Sequence, residues 1–248
     1  MSGHSKWATI KHKKGAVDKA RAKVFNKIAR QLEVAARDGG GDSTTNASLR
    51  TVVLKAKAAQ MTNDAIERAI KRGTGEGATG TYESIMYEGY APGGVALMID
   101  VLTDNRNRTG SEVRNVFSKL GGSMAEPGAV GWQFSRRGVV HVVGSDEDTV
   151  MMAALEAGAD DVSPEGDGFR VLCEPGDVYD LRDALETAGL TVESAESTMV
   201  ASATIEVSDA DDARKILRIM DALEDNDDVQ DVYSNFDISD ELMEAVST

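Results

Sequence analysis

Cysteine is nearly absent from this chain of 248 residues: Cys173 is the single example, so no disulfide can form within the chain and a reducing, cytoplasmic setting fits. Cys173 ends the alternating run FRVLC, which reads as a buried strand thiol rather than a nucleophile. Proline is scarce, with four in all and none before Pro92, so nothing interrupts helix formation over the first 72 residues. Apolar residues never run to the ~18 that a membrane span requires. The basic N-terminal stretch lacks the apolar segment and small-residue cleavage site of a secretory signal. Catalytic signatures are missing too. No G-x-S-x-G, no lysine-closed phosphate loop and no Cys-His pair within one segment occurs. Nor does the basic end hold enough carboxylates for a two-metal centre. His4 and His12 have no cysteine or acid beside them, and EDNDDVQD (224–231) lacks a calcium loop's central glycine and terminal glutamate. The expectation is a protein without enzyme activity, metal or cofactor.

What is present is charge, unevenly placed. The chain has a net charge of −15, yet residues 1–30 carry nine Lys or Arg against the single Asp18. Residues 1–72 are +10, residues 73–140 are near neutral, and residues 141–248 are −24. A polyanion-binding head on a body that repels polyanions is the direct reading. The acidic blocks of the body read as solvated faces that steer a polyanion toward the head. A basic protein partner for that body is the other use such a surface suggests.

Periodicity divides the chain further. Val17, Val24, Ile28, Leu32 and Ala35 mark an apolar stripe on a helix over 16–37, stopped by Gly39-Gly40-Gly41. A second helix fits 47–60, with Leu49, Val52, Val53 and Ala56 inward. A third starts at Asn63 or Asp64, points Ile66, Ala69 and Ile70 inward, and ends at Gly73; Asp64 and Glu67 have capping-box spacing. Three short amphipathic helices bury one small core. GTGEGATG (73–80) follows a helix and reads as an interdomain linker, not a phosphate loop. Strand periodicity then takes over. YESIMYEGY and GVALMIDVLTD flank Ala91-Pro92-Gly93-Gly94, a type II turn by its Pro-Gly pair. A helix over 109–120, with Thr109 and Glu112 at capping-box spacing, and a strand through GWQFS come next. The order over 136–201 is β-α-β-β-α-β, the ferredoxin-like pattern, and 202–248 adds a further β-α-β.

The fold class expected is therefore α+β in several domains: a three-helix head, then two α/β sandwich domains, the third ferredoxin-like and inserted in the second. The boundaries are 1–72 for the head, 73–80 for the linker, 81–135 plus 202–248 for a discontinuous second domain, and 136–201 for the insertion.

Two clusters could bind phosphate. Lys19, Lys23, Lys27, Arg30 and Arg37 fall on one arc of the first helix, nearly opposite the apolar stripe, with Arg21 a misfit on the apolar side, and Lys6, Lys11, His12, Lys13 and Lys14 precede them. Trp7, among those lysines, has two readings: stacking on an unpaired base, or anchoring the arm to the helical core. The second cluster is Asn105, Arg106, Asn107 and Arg108, placed at a strand-to-helix turn where amides and guanidiniums favour an anion. Its alternative is pairing of Arg106 or Arg108 with Asp100, Asp104 or Glu112.

The motifs GHSKWATIKHKK, DKARAKVFNKIARQL, AARDGGGD, LKAKAAQMTNDAIERAIKRGTGE, YEGYAPGGVA, LTDNRNRT, FSKLGGSMAEPGAVGWQF and YSNFD resemble the YebC/PmpR family, in order and nearly end to end. Thr62 stands where members usually have proline and Ala91 where they have glycine. The resemblance implies three domains with the third inserted in the second, and a cytoplasmic DNA-binding transcriptional regulator. Relatives of the family, among them a mitochondrial translational activator of cytochrome oxidase, imply instead a factor on ribosomal RNA that relieves stalling at proline runs. A small-ligand sensor using the ferredoxin-like domain is a third reading.

Overall fold

The structure is a computed structural model that describes residues 17–75 and 82–246; for residues 17–21 and Asp240 it describes the backbone alone. Among the described residues three helices come first: α1 (Val17–Gly39), α2 (Ala47–Ala58) and α3 (Asn63–Thr74). Their shared core is Ile28, Leu32, Ala35 and Ala36 from α1, Leu49 and Ala56 from α2, and Met61, Ile66 and Ala69 around α3. The expected inward faces of α2 and α3 are the ones that pack.

The expected stripe on α1 is too long, however. Val24 is 46% exposed. The cause is length: α1 spans 23 residues, whereas α2 and α3 span 12 each, so the shorter pair cannot cover its N-terminal part. The side chain of Val17 lies outside the described residues. The capping box at Asp64 is also displaced. Thr62 is the N-cap, its side chain accepting from the Ala65 amide. Asn46 caps α2 through Leu49 and also donates to the Ala35 and Gly40 carbonyls, which ties the end of α1 to the start of α2. Gly73 does not end α3, as expected, but lies within it against α1. A Cβ there would meet the Glu33 carbonyl oxygen and come within 3.1 Å of the Ala36 Cβ.

The body holds two four-stranded sheets. Strands β1 (Glu83–Tyr90), β2 (Ala96–Thr103) and β3 (Ser123–Ala125), with helix α4 (Arg106–Leu120), begin the first. Its fourth strand, β9 (Val229–Ser234), arrives late in the chain, giving the antiparallel order β3-β1-β2-β9. Between them come β4 (Phe134–Val143), α5 (Glu147–Glu156), β5 (Asp161–Glu165), β6 (Gly168–Cys173), α6 (Val178–Thr187) and β7 (Thr191–Ala201). These form the second sheet, antiparallel in the order β5-β6-β4-β7. The chain returns through β8 (Ile205–Glu206), α7 (Ala210–Glu224), β9, β10 (Phe236–Asp237) and α8 (Asp240–Val246). Helices α4 and α7 close the first sheet's core around Leu97, Ile99, Phe117, Ile216 and Met220. Helices α5 and α6 close the second around Val140, Val142, Val171 and Leu185. Cys173 belongs to that second core, and burial pushes its thiol pKa up to about 11.

The turn at Ala91–Gly94 behaves as its sequence implies: Gly93 follows Pro92 with φ 74° and ψ 5°, the geometry of the third position of a type II turn. The strand expected through GWQFS starts only at Phe134, because Gly131–Gln133 form a 3₁₀ turn. Buried Glu88 explains it. Its carboxylate accepts from the amides of Gly128, Val130 and Gly131, which curls that segment around one side chain. Burial would raise the Glu88 pKa, and these three bonds hold it below the usual value.

Candidate nucleic-acid interface

Helix α7 ends at Glu224, and its last carbonyls need partners from outside the helix. The lysines of α1 supply them. Lys27 Nζ donates to the Glu224 carbonyl at 2.9 Å, and Lys23 Nζ donates to the Asp225 carbonyl at 2.6 Å and to Asp225 Oδ1 at 2.9 Å. Cations at the negative end of a helix dipole add to this attraction. One turn further along α1, Arg30 Nη1 is 2.9 Å from Asp228 Oδ1, 3.1 Å from the Leu102 carbonyl and 3.2 Å from that of Asp227. Lys23, Lys27 and Arg30 therefore share one face of α1, which rests on the acidic segment EDNDD (224–228) of the body.

Asp228 is the centre of this contact, with its side chain 8% exposed. Besides Arg30 it accepts from Arg108 Nη2 at 2.6 Å, Thr109 Oγ1 at 2.7 Å and Thr103 Oγ1 at 3.0 Å. Burial alone would raise its pKa; the bonds from Arg108, Thr109, Arg30 and Thr103 outweigh burial and hold it at about 2. A depressed carboxylate pKa stabilises the fold above the unfolded value and stops doing so below the folded one. Stability from this site should thus be complete above about pH 4 and disappear as pH falls toward 2. Asp228→Asn should remove that dependence and lower stability by about 2–4 kcal/mol, since it leaves two guanidiniums facing a neutral group. Urea unfolding of the variant and the parent chain at pH 7 and pH 3 checks both; equal losses at the two pH values would exclude the assignment.

The second cluster is placed differently from its sequence reading. Helix α4 begins at Arg106 with Asn105 as its cap, not at Thr109, so all four residues belong to the helix start. Asn105 Oδ1 accepts from the Arg108 amide, and Thr109 is buried beneath. Arg108 pairs with Asp104 at 2.9 Å, one of the expected acids, and with Asp228, which sequence reasoning did not name. Asp100 instead lies directly opposite Asp231 across β2 and β9. Burial, then Asp231, raises the Asp100 pKa. Lys55 reaches Asp231 at 3.3 Å from α2. Arg106 and Asn107 are exposed.

The acidic run is a solvated face only in part: Asp225 and Asp227 are exposed, whereas Asp228 is buried and the run Glu224–Asp228 also faces α1. No local signal in the sequence pairs residues some 200 positions apart; only the coincidence of a basic helix face and an acidic run of similar length points that way. Lys6, Trp7, Lys11, His12, Lys13 and Lys14 lie outside the described residues, as does the side chain of Lys19 on α1. On α3, Arg68, Lys71 and Arg72 are exposed on an arc of about 100°, with Glu67 beside them. Arg72 also pairs with Glu33 at 3.2 Å. Among the described residues no helix is long and apolar enough to cross a membrane, and no cluster of His, Cys, Asp and Glu could hold a metal ion.

A small basic helical domain held by ion pairs on a body with two sheets defines a modular α+β protein in which charge is separated by domain. The chain belongs to the TACO1/YebC family: residues 5–76 match the TACO1/YebC protein N-terminal domain, and residues 82–236 match the TACO1/YebC second and third domain. Among curated relatives, a "Probable transcriptional regulatory protein" of Salinispora arenicola is 54% identical over 246 residues, covering 98% of each chain. One of the same name from Rubrobacter xylanophilus is 54% identical over 250 residues, covering 100% of each. The crystal structure of a conserved hypothetical protein, Aq1575 from Aquifex aeolicus, superposes with a TM-score of 0.78 at 42% identity over 90% of this chain and 93% of that one.

Proposed function

We propose that this protein is a non-enzymatic, nucleic-acid-binding regulator of gene expression that contacts phosphates through its N-terminal head. Charge segregation carries this reading. Residues 1–72 are +10 on a chain of −15, and a polyanion meeting the molecule is attracted to the head and repelled by the body. The relatives named probable transcriptional regulatory proteins support DNA as the target. The body is read as two α/β units, with the ferredoxin-like one inserted in the other; its sheet order β5-β6-β4-β7 supports this.

One observation favours a second reading. Helices α2 and α3 could form a helix-turn-helix, but α3 offers Glu67 beside Arg68, Lys71 and Arg72, a surface better suited to phosphates than to base edges. Structured RNA, including ribosomal RNA, asks no more than that. Crosslinking the tagged full chain in cells and sequencing what it holds separates the two. Promoter DNA supports the first reading, and ribosomal RNA replaces it with the second. Neither above background removes both.

A further inference from the structure

We propose that the structure is a closed, self-inhibited form, in which the acidic segment Glu224–Asp228 occupies the phosphate-binding face of the head and is displaced when nucleic acid binds. This rests on the head being the nucleic-acid-binding end. The segment imitates a phosphate run. Glu224, Asp225, Asp227 and Asp228 put four carboxylates within five residues at the negative end of helix α7. It engages Lys23, Lys27 and Arg30 of the basic face. A phosphate that reached Arg30 would have to take the place of Asp228.

The contact is built to separate. Among the described residues the head's apolar core is drawn from residues 25–70, whereas apolar side chains join the two sheets of the body, where Phe134, Met199 and Ala201 pack with Ala96 and Tyr233. Head and body therefore meet at this contact through ion pairs and hydrogen bonds, which favours relative motion over a fixed junction. Asp228 also keeps most of its partners when the head leaves. Arg108, Thr103 and Thr109 belong to the body, and only Arg30 departs. At Asp228 no buried charge is stranded, so opening avoids there the main penalty of breaking such a pair, and Lys55 with Asp231, another head–body pair that must break, is partly exposed on both sides. The freed carbonyls of Glu224 and Asp225 at the helix end pass to water.

The test uses the full chain with fluorophores on Asn63→Cys in the head and Thr187→Cys in the body, both at exposed positions. Cys173, buried at 1% exposure, stays unlabelled. Adding a short duplex or single strand, with binding followed by anisotropy, should change the transfer efficiency in step with binding. A second variant, Asp225→Lys with Asp227→Lys, alters two exposed acids and leaves Asp228 in place. It should show the altered transfer without nucleic acid and bind at least tenfold more tightly than the charge-matched Glu156→Lys with Glu186→Lys. Those control positions are exposed and also stand in last turns of helices. Binding with unchanged transfer, or equal affinity of the two variants, overturns the closed form while leaving the proposed function standing. No binding by the parent chain or the variants overturns both.

Discussion

Raising salt from about 50 to about 200 mM should weaken binding of a DNA duplex by about 10³- to 10⁴-fold, a log–log slope of about −5 to −7. The reason is counterion release: a head of this charge neutralises about five to eight phosphates, and each frees most of one condensed cation. The described contact on α1 refines the expectation. Lys23, Lys27 and Arg30 already face carboxylates and carbonyls, so exchanging these for phosphate releases fewer counterions than binding by bare cations. The parent chain should lie at the shallow end of that range, and the variant with Asp225 and Asp227 changed to Lys at the steep end. Titrations at four or five salt concentrations measure both slopes. A slope near zero would sink the electrostatic account of the head.

Gly73→Val should cost about 3 kcal/mol or more and unfold the head selectively. Helices α1 and α3 approach so closely that a Cβ at Gly73 overlaps the Glu33 carbonyl oxygen and lies 2.9 Å from its carbon. Both of these are backbone atoms, which no rotamer change can move aside. The helices must part, and Leu32 and Ala69, each at 0% exposure, then lose their packing. Hydrogen exchange reads this cleanly: amides of residues 28–72 should lose protection while those of β2, β4 and β9 keep it. Uniform loss across both regions would mean that head and body unfold as one unit, against the polar junction described above.

Much of the architecture is legible because it is local. The helical period of residues 24–70 and the alternation in β4 and β6 report which side chain faces which way, and a type II turn follows from Pro92-Gly93 alone. The errors have local causes as well. Val24 sits on the stripe by spacing, but neither α2 nor α3 reaches it. Thr62 and Asn105 cap helices two and four residues before the boxes that motif spacing suggested, because Ser, Thr, Asn and Asp near a boundary compete for one role and spacing does not rank them. The curl at Gly131–Gln133 was hidden for another reason: its organiser, Glu88, is more than forty residues away.

The candidate site divides in the same manner. Arg108 pairing with Asp104 is a helix-start contact four residues long, readable from spacing. Its pairing with Asp228, and the seating of Lys23, Lys27 and Arg30 on Glu224–Asp228, join parts of the chain about 120 to 200 residues apart. By itself the sequence determined the helical head, the strand-and-helix body, the single basic face and the charge of each end, since these depend on side-chain identity and short-range period. Only the tertiary structure decided what that face touches. Charge complementarity says that acid and base attract, but which acid meets which base depends on where β9 enters the first sheet and so carries the end of α7 to the side of α1.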